Sequence, residues 1–241
     1  MVPVLDLKQG QAVHAVGGDR AHYRPVESRL HPGSDPVGIA RAFSERLGLR
    51  TLYLADLDAI AGARPSFGTY GALRDLGVEV WLDAGLRTAA DLGALVGTGV
   101  STLVVGSETL RCPAILDKVL AKMGPERVVF SLDLKAGQPL LAAGADWGLP
   151  EPWAVAMRAL GHGAQRLLLL DLARVGTGTG VGTLALAREL SSQFPVEIAV
   201  GGGIARAEEI KDAAHAGVSA VLLGSALHSG AIEIERGRVV G

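Results

Sequence analysis

The segment Leu5-Asp6-Leu7-Lys8-Gln9-Gly10-Gln11 returns as Leu132-Asp133-Leu134-Lys135-Ala136-Gly137-Gln138, with one change in seven. Further pairs keep the same order. Val78-Glu79-Val80 followed by Gly85 matches Val196-Glu197-Ile198 followed by Gly203, and Ser101 to Ser107, ending Val-Gly-Ser, matches Ser219 to Ser225, ending Leu-Gly-Ser. Asp56 and Asp171, each closing an apolar run before Leu, make a fourth pair. Such a chain reads as two related halves, about 1–123 and 124–241, and no Pro/Ser-rich linker marks two independent domains near Gly124-Pro125.

Eight apolar runs of strand length recur: Pro3 to Leu7, Thr51 to Ala55, Val78 to Leu82, Thr102 to Val105, Val128 to Leu132, Arg166 to Leu170, Val196 to Val200 and Ala220 to Leu223. Amphipathic stretches lie between them, among them Pro36 to Arg46, Thr88 to Val96, Ala114 to Lys122, Pro152 to Leu160, Thr183 to Gln193 and Arg206 to Ala214. Alternating strand and helix implies a parallel sheet. Eight parallel strands in two duplicated halves close most simply into an α/β fold of the (β/α)8 TIM-barrel type, one domain over 1–241, with every strand-to-helix loop at one end. A chain with 33 glycines and only 4% aromatic residues suits many tight turns around aliphatic layers.

The 23 basic and 25 acidic residues are dispersed, so no basic block offers a nucleic-acid footprint. No run of eighteen apolar residues suggests a membrane span, and the start, Met1-Val2-Pro3-Val4, lacks the features of a signal peptide. One cysteine, Cys112, cannot form an internal disulfide. These features point to a cytoplasmic protein. The six histidines show no metal-ligand spacing, so neither a metal nor another cofactor is expected.

Asp6 and Asp133 end the first and fifth strand runs, opposite each other in an eight-stranded ring, where side chains converge on the mouth. A pair of carboxyls in unlike surroundings can divide acid and base work. Structural aspartates bonded to Lys8 and Lys135 are the competing reading. After the seventh and eighth runs, Gly202 and Gly203 of the triple glycine and the Gly224-Ser225 step offer bare amides to a phosphate. Gly85, Gly106 and Ser107 are the counterparts in the first half and suggest a second phosphate site across the barrel, although Asp83 brings negative charge there. Asp83 is itself a candidate catalytic group. Gly176-Thr177 opens a donor-rich loop able to hold phosphate or sugar hydroxyls. Arg20 could clamp a phosphate and Trp147 could stack on a flat ring, while Asp56 and Asp171 are further candidates for substrate contact.

Pro3-Val4-Leu5-Asp6-Leu7-Lys8, Asp56-Leu57-Asp58, Ser131-Leu132-Asp133, Gly176-Thr177, Gly201-Gly202-Gly203-Ile204 and Leu223-Gly224-Ser225-Ala226 together resemble the HisA/HisF family of histidine-biosynthesis isomerases and cyclases. The opening Leu-Asp-Leu-Lys is closer to HisA. The resemblance implies a duplicated barrel, a phosphoribosyl substrate with two phosphates, and an Amadori rearrangement of an aminoaldose to an aminoketose. It also implies Asp6 as general base and Asp133 as general acid. The sixth strand departs from the family's Thr-Asp-Ile-Asp-x-Asp-Gly-Thr, reading Leu170-Asp171-Leu172-Ala173-Arg174-Val175-Gly176-Thr177. Leu170 replaces a threonine that assists HisA catalysis, and Val175 replaces an aspartate at the ligand site. Those departures are those of a divergent paralogue, compatible with the family's branches associated with one-carbon cofactors such as tetrahydromethanopterin. Three readings stay open: a HisA-type isomerase, a lyase or synthase variant on the same phosphorylated sugar, and a non-catalytic barrel binding a phosphometabolite or a protein partner.

Overall fold

A computed structural model describes residues 1–240. Its strands are β1 (Val2–Lys8), β2 (Gln11–His14), β3 (Arg24–Pro25), β4 (Thr51–Asp56), β5 (Glu79–Asp83), β6 (Thr102–Gly106), β7 (Val128–Lys135), β8 (Gln138–Pro139), β9 (Arg166–Asp171), β10 (Glu197–Gly201), β11 (Ala220–Leu223), β12 (Glu233–Glu235) and β13 (Arg238–Val240). The α-helices are α1 (Pro36–Leu47), α2 (Leu57–Ile60), α3 (Phe67–Asp75), α4 (Ala89–Val96), α5 (Pro113–Met123), α6 (Pro152–Gly161), α7 (Leu184–Gln193), α8 (Ala207–His215) and α9 (Ser225–Ser229).

Parallel pairing runs β1-β4-β5-β6-β7-β9-β10-β11, and β11 returns to β1 through Val2 opposite Leu222 and Pro3 opposite Leu223. The chain is therefore a closed (β/α)8 TIM barrel, and all eight expected strand runs lie in it. Closure leaves no exposed edge among these strands.

Strand alternation sorts the side chains. Leu54, Leu82, Leu103, Phe130, Leu169 and Val200 face the helices in the larger core cluster. Their neighbours Tyr53, Trp81, Val104, Val129, Leu168 and Ala199 fill the barrel interior. The same two-residue period carries on to the C-terminal ends, where Asp6, Asp83 and Asp133 continue the inward series. Helices seat by ordinary means: Pro36 opens α1, the Asp35 side chain accepts from Gly38 N at 2.7 Å, and Ile39, Phe43 and Leu47 turn one buried stripe to the sheet.

Two strands are prolonged beyond the barrel into hairpins. β2 runs antiparallel to β1, and β8 runs antiparallel to β7. Each turn places two consecutive residues at positive φ, Gln9 at 51° and Gly10 at 75°, then Ala136 at 52° and Gly137 at 79°. That is the conformation a two-residue hairpin loop needs. The repeated segment thus adopts the same local shape twice.

Candidate active site at the barrel mouth

The C-terminal strand ends surround a cavity of about 270 Å³. Asp6, Asp83 and Asp133 enter it from β1, β5 and β7, and Arg20 and Glu108 enter from the loops after β2 and β6. Leu170, Val175, Gly176, Thr177, Gly202, Gly203, Gly224 and Ser225 form the opposite wall. Asp6 and Asp133 therefore share one cavity. The lysine alternative for Asp6 has no support, because Lys8 Nζ donates to the carbonyl of Arg20 at 2.6 Å.

Burial sets the protonation of these carboxyls. It pushes Asp6 up to about 7, with the Arg20 guanidinium pulling the other way and Asp83 adding to the rise. It pushes Asp83 up to about 6 against the Gly85 amide, which donates to its Oδ1 at 3.0 Å. Asp133 is held well above the usual carboxylate range, first by burial and then by Glu108 and Asp83. Ser131 Oγ donates to Asp133 Oδ1 at 2.7 Å, whereas Asp133 Oδ2 is buried without a partner. Tyr53 steadies Asp83 by donating to its Oδ2 at 3.3 Å.

The two walls differ in how their amides are used. On the glycine wall, Gly202 and Gly203 sit at φ 89° and 93°, and a Cβ would lie 2.7 Å from Asp171 O at the first and 2.6 Å from Gly180 O at the second. Only glycine fits such close backbone approaches. Ser225 opens α9, so the amides of its first turn lack intrahelical acceptors, and its Oγ meets His14 Nε2 at 2.8 Å. His228 also lines this side, its imidazole pushed down to about 4 by burial and by His14.

Six expected site residues do not line the cavity. Gly85 packs on the backbone of α2, where a Cβ would lie 2.6 Å from Ile60 Cα. Gly106 lies beneath the carboxylates, and Ser107 is fully buried, its Oγ donating to Leu140 O at 2.9 Å and accepting from Asp133 N at 3.1 Å. Asp56 accepts from Ala59 N, Ser66 N and Tyr70 Oη, and Asp171 accepts from Ala136 N, Gly137 N and Ala173 N. Both carboxyls hold turns on the helix side of the sheet. Trp147 is buried on Phe130 with ring centroids 4.9 Å apart, so its indole is not presented to a ligand.

Glu108, Tyr53 and His14 were not singled out from the sequence. Tyr53 carried a readable signal, because it shares the inward register of the second strand run. Glu108 and His14 depend on loop and hairpin paths that no periodicity reveals. Among the described residues, no group of three or more His, Cys, Asp or Glu has metal-ligand geometry, and no helix is long and apolar enough to cross a membrane.

The family described as "Histidine biosynthesis protein" matches residues 1–233. An uncharacterized protein of Methanocaldococcus jannaschii is 31% identical over 237 residues, spanning 98% of this chain and 96% of the relative. A Thermus thermophilus protein named 1-(5-phosphoribosyl)-5-((5-phosphoribosylamino)methylideneamino) imidazole-4-carboxamide isomerase is 31% identical over 237 residues, covering 98% and 97%. The Haloarcula marismortui protein of the same name is 30% identical over 239 residues, covering 98% and 93%. With its closed barrel, its facing carboxyls and a match over nearly its whole length, the chain belongs to the histidine biosynthesis protein family as a HisA-like member.

Proposed function

We propose that the barrel mouth isomerises a phosphoribosyl-type aminoaldose to the aminoketose, with Asp133 as general acid and Asp6 as general base. The observation that carries this reading is the unequal proton affinity of two carboxyls in one cavity. Asp133 is held well above the usual carboxylate range and has one oxygen without a partner, while Asp6 is pushed up to about 7. Efficient acid-base groups have proton affinities near the working pH.

The proton steps follow from that inequality. Asp133 gives its proton to the ring oxygen as the C1–O bond breaks, and the nitrogen lone pair forms a protonated Schiff base. That cation acidifies the C2 proton, which Asp6 removes to leave an enaminol. Proton return to C1 yields the ketone, with the O2 proton released. The phosphate is held by the Gly202, Gly203, Gly224 and Ser225 wall beside Gly176 and Thr177, which fixes the sugar against the carboxyls. The carboxyls and the substrate nitrogen account for every step, and the single thiol, Cys112, suits a cytoplasmic setting.

A second reading follows from Asp83, buried in the same cavity and pushed up to about 6. A third titrating group beside apolar Leu170 and Val175 favours a related isomerisation or lyase reaction in a divergent paralogue. One experiment separates the readings. Pure protein is given the substrate of the isomerase relatives and then a panel of phosphorylated ribosylamines, with Asp6→Asn, Asp83→Asn and Asp133→Asn compared. Loss of turnover of a thousandfold or so in the Asp6 and Asp133 variants supports the isomerase. Full turnover by either variant contradicts it.

A further inference from the structure

His228 and Ser225 lie three residues apart on α9, so their side chains share one face of it, and both line the cavity. Ser225 Oγ is met by His14 Nε2 at 2.8 Å. The His228 ring is anchored from behind. It packs on Phe43 of α1 with ring centroids 5.5 Å apart, and its Nδ1 lies 3.0 Å from Ser28 Oγ. The backbone is tied as well, since Arg29 N donates to the His228 carbonyl at 3.0 Å. The residue is only 7% exposed, and no protein group takes up its Nε2 among the described residues.

Ser28 decides which ring nitrogen carries the proton. Its Oγ already accepts from Leu30 N at 3.2 Å, and among the described residues His228 Nδ1 is the acceptor within reach of the hydroxyl proton. Donation from Ser28 to Nδ1 satisfies the amide, the hydroxyl and the ring nitrogen together, and leaves the N–H on Nε2. The reverse arrangement, Nδ1–H donating to Ser28, would strand the hydroxyl proton. Burial and the neighbouring His14 push the imidazole down to about 4, so at neutral pH the ring carries one ring proton only. A buried N–H that lines a cavity calls for an acceptor from the ligand.

We infer that His228 donates through its Nε2–H to a phosphate oxygen of the substrate, and that Ser28, outside the cavity, is the positioning residue that fixes this tautomer. The inference rests on the phosphosugar reading and adds a directed side-chain donor to the glycine wall. Ionised phosphate oxygens only accept. A ring holding its lone pair at Nε2 would repel them, so the Ser28 hydroxyl decides between binding and exclusion.

The test is long-range proton–nitrogen NMR of the sequentially assigned histidine rings at neutral pH, alone and with inorganic phosphate, ribose 5-phosphate or ribose, beside calorimetric titration with the same three. The free protein is expected to show His228 as the Nε2–H tautomer. Its Nε2 signal is expected to shift with either phosphate and not with ribose. His228→Phe should weaken ribose 5-phosphate binding about tenfold, whereas His228→Gln, whose amide reaches the place of Nε2, should stay within about threefold of wild type. Ser28→Ala should populate the Nδ1–H tautomer and weaken binding about threefold, and Ser28→Thr should restore both. An Nδ1–H tautomer in wild type, an Nε2 signal unmoved by bound phosphate or moved equally by ribose, or full affinity in His228→Phe overturns the inference and leaves the glycine wall standing. Failure of wild type to bind either phosphate overturns the wall and the inference together. If the variants do not fold, the wild-type spectra alone decide.

Discussion

Arg20 and Glu108 meet at 2.5 Å across the cavity, tying the long loop after β2 to the turn after β6. The pair also bears on Asp6, the proposed base, because Arg20 is the group that holds Asp6 down against its burial. Arg20→Ala is expected to move the rising limb of the kcat/KM profile alkaline from about 7, by roughly one pH unit. The pH dependence of kcat/KM on the isomerised substrate checks it. A limb that stays in place or moves to acid contradicts the assigned coupling.

Folding stability should carry the mark of the same carboxyls. Asp6 and Asp83 bind their protons more tightly folded than unfolded, with folded values of about 7 and about 6 against an ordinary 3.8. Between these values the unfolded chain has released protons that the folded chain keeps. Their contribution is therefore complete below about pH 4 and is lost as pH rises toward 7. Asp6→Asn is expected to match wild type near pH 4 and to exceed it by roughly 4 kcal/mol at pH 8, measured by urea denaturation.

Asp171 accepts three backbone amides, two of them in the turn between β7 and β8. Asp171→Ala strands those donors and should cost roughly 2–4 kcal/mol. Folded Asp171→Ala should still bind phosphate. Denaturant midpoints and phosphate titration separate the two effects.

On the glycine wall, Gly203→Ala meets both a φ of 93° and a Cβ only 2.6 Å from Gly180 O. The loop must shift to accommodate it. Phosphate affinity is expected to fall at least about tenfold, with a smaller loss of stability. Isothermal titration with inorganic phosphate reads the first, and thermal unfolding the second.

Particular residues show what the sequence discloses and what it withholds. The eight strand runs and the convergence of Asp6 and Asp133 follow from hydrophobic alternation and from the repeated segment, both local signals. The same alternation sends Asp56 and Asp171 to the helix side, because Tyr53 with Ala55 and Leu168 with Leu170 occupy the inward positions. Trp147 and Ser107 are different. Their burial depends on how the loops after β8 and β6 fold over the sheet, which no local periodicity encodes. Glu108 likewise acquires meaning only when a loop 88 residues away brings Arg20 against it.

The division of labour between Asp6 and Asp133 is tested most directly by carbon NMR titration of the aspartate carboxyls, with Asp6→Asn and Asp133→Asn assigning the signals. The expected result is Asp6 titrating near 7 and Asp133 titrating well above the ordinary aspartate range. Two carboxyls that both ionise near 4, as exposed aspartates do, would contradict the acid-base assignment.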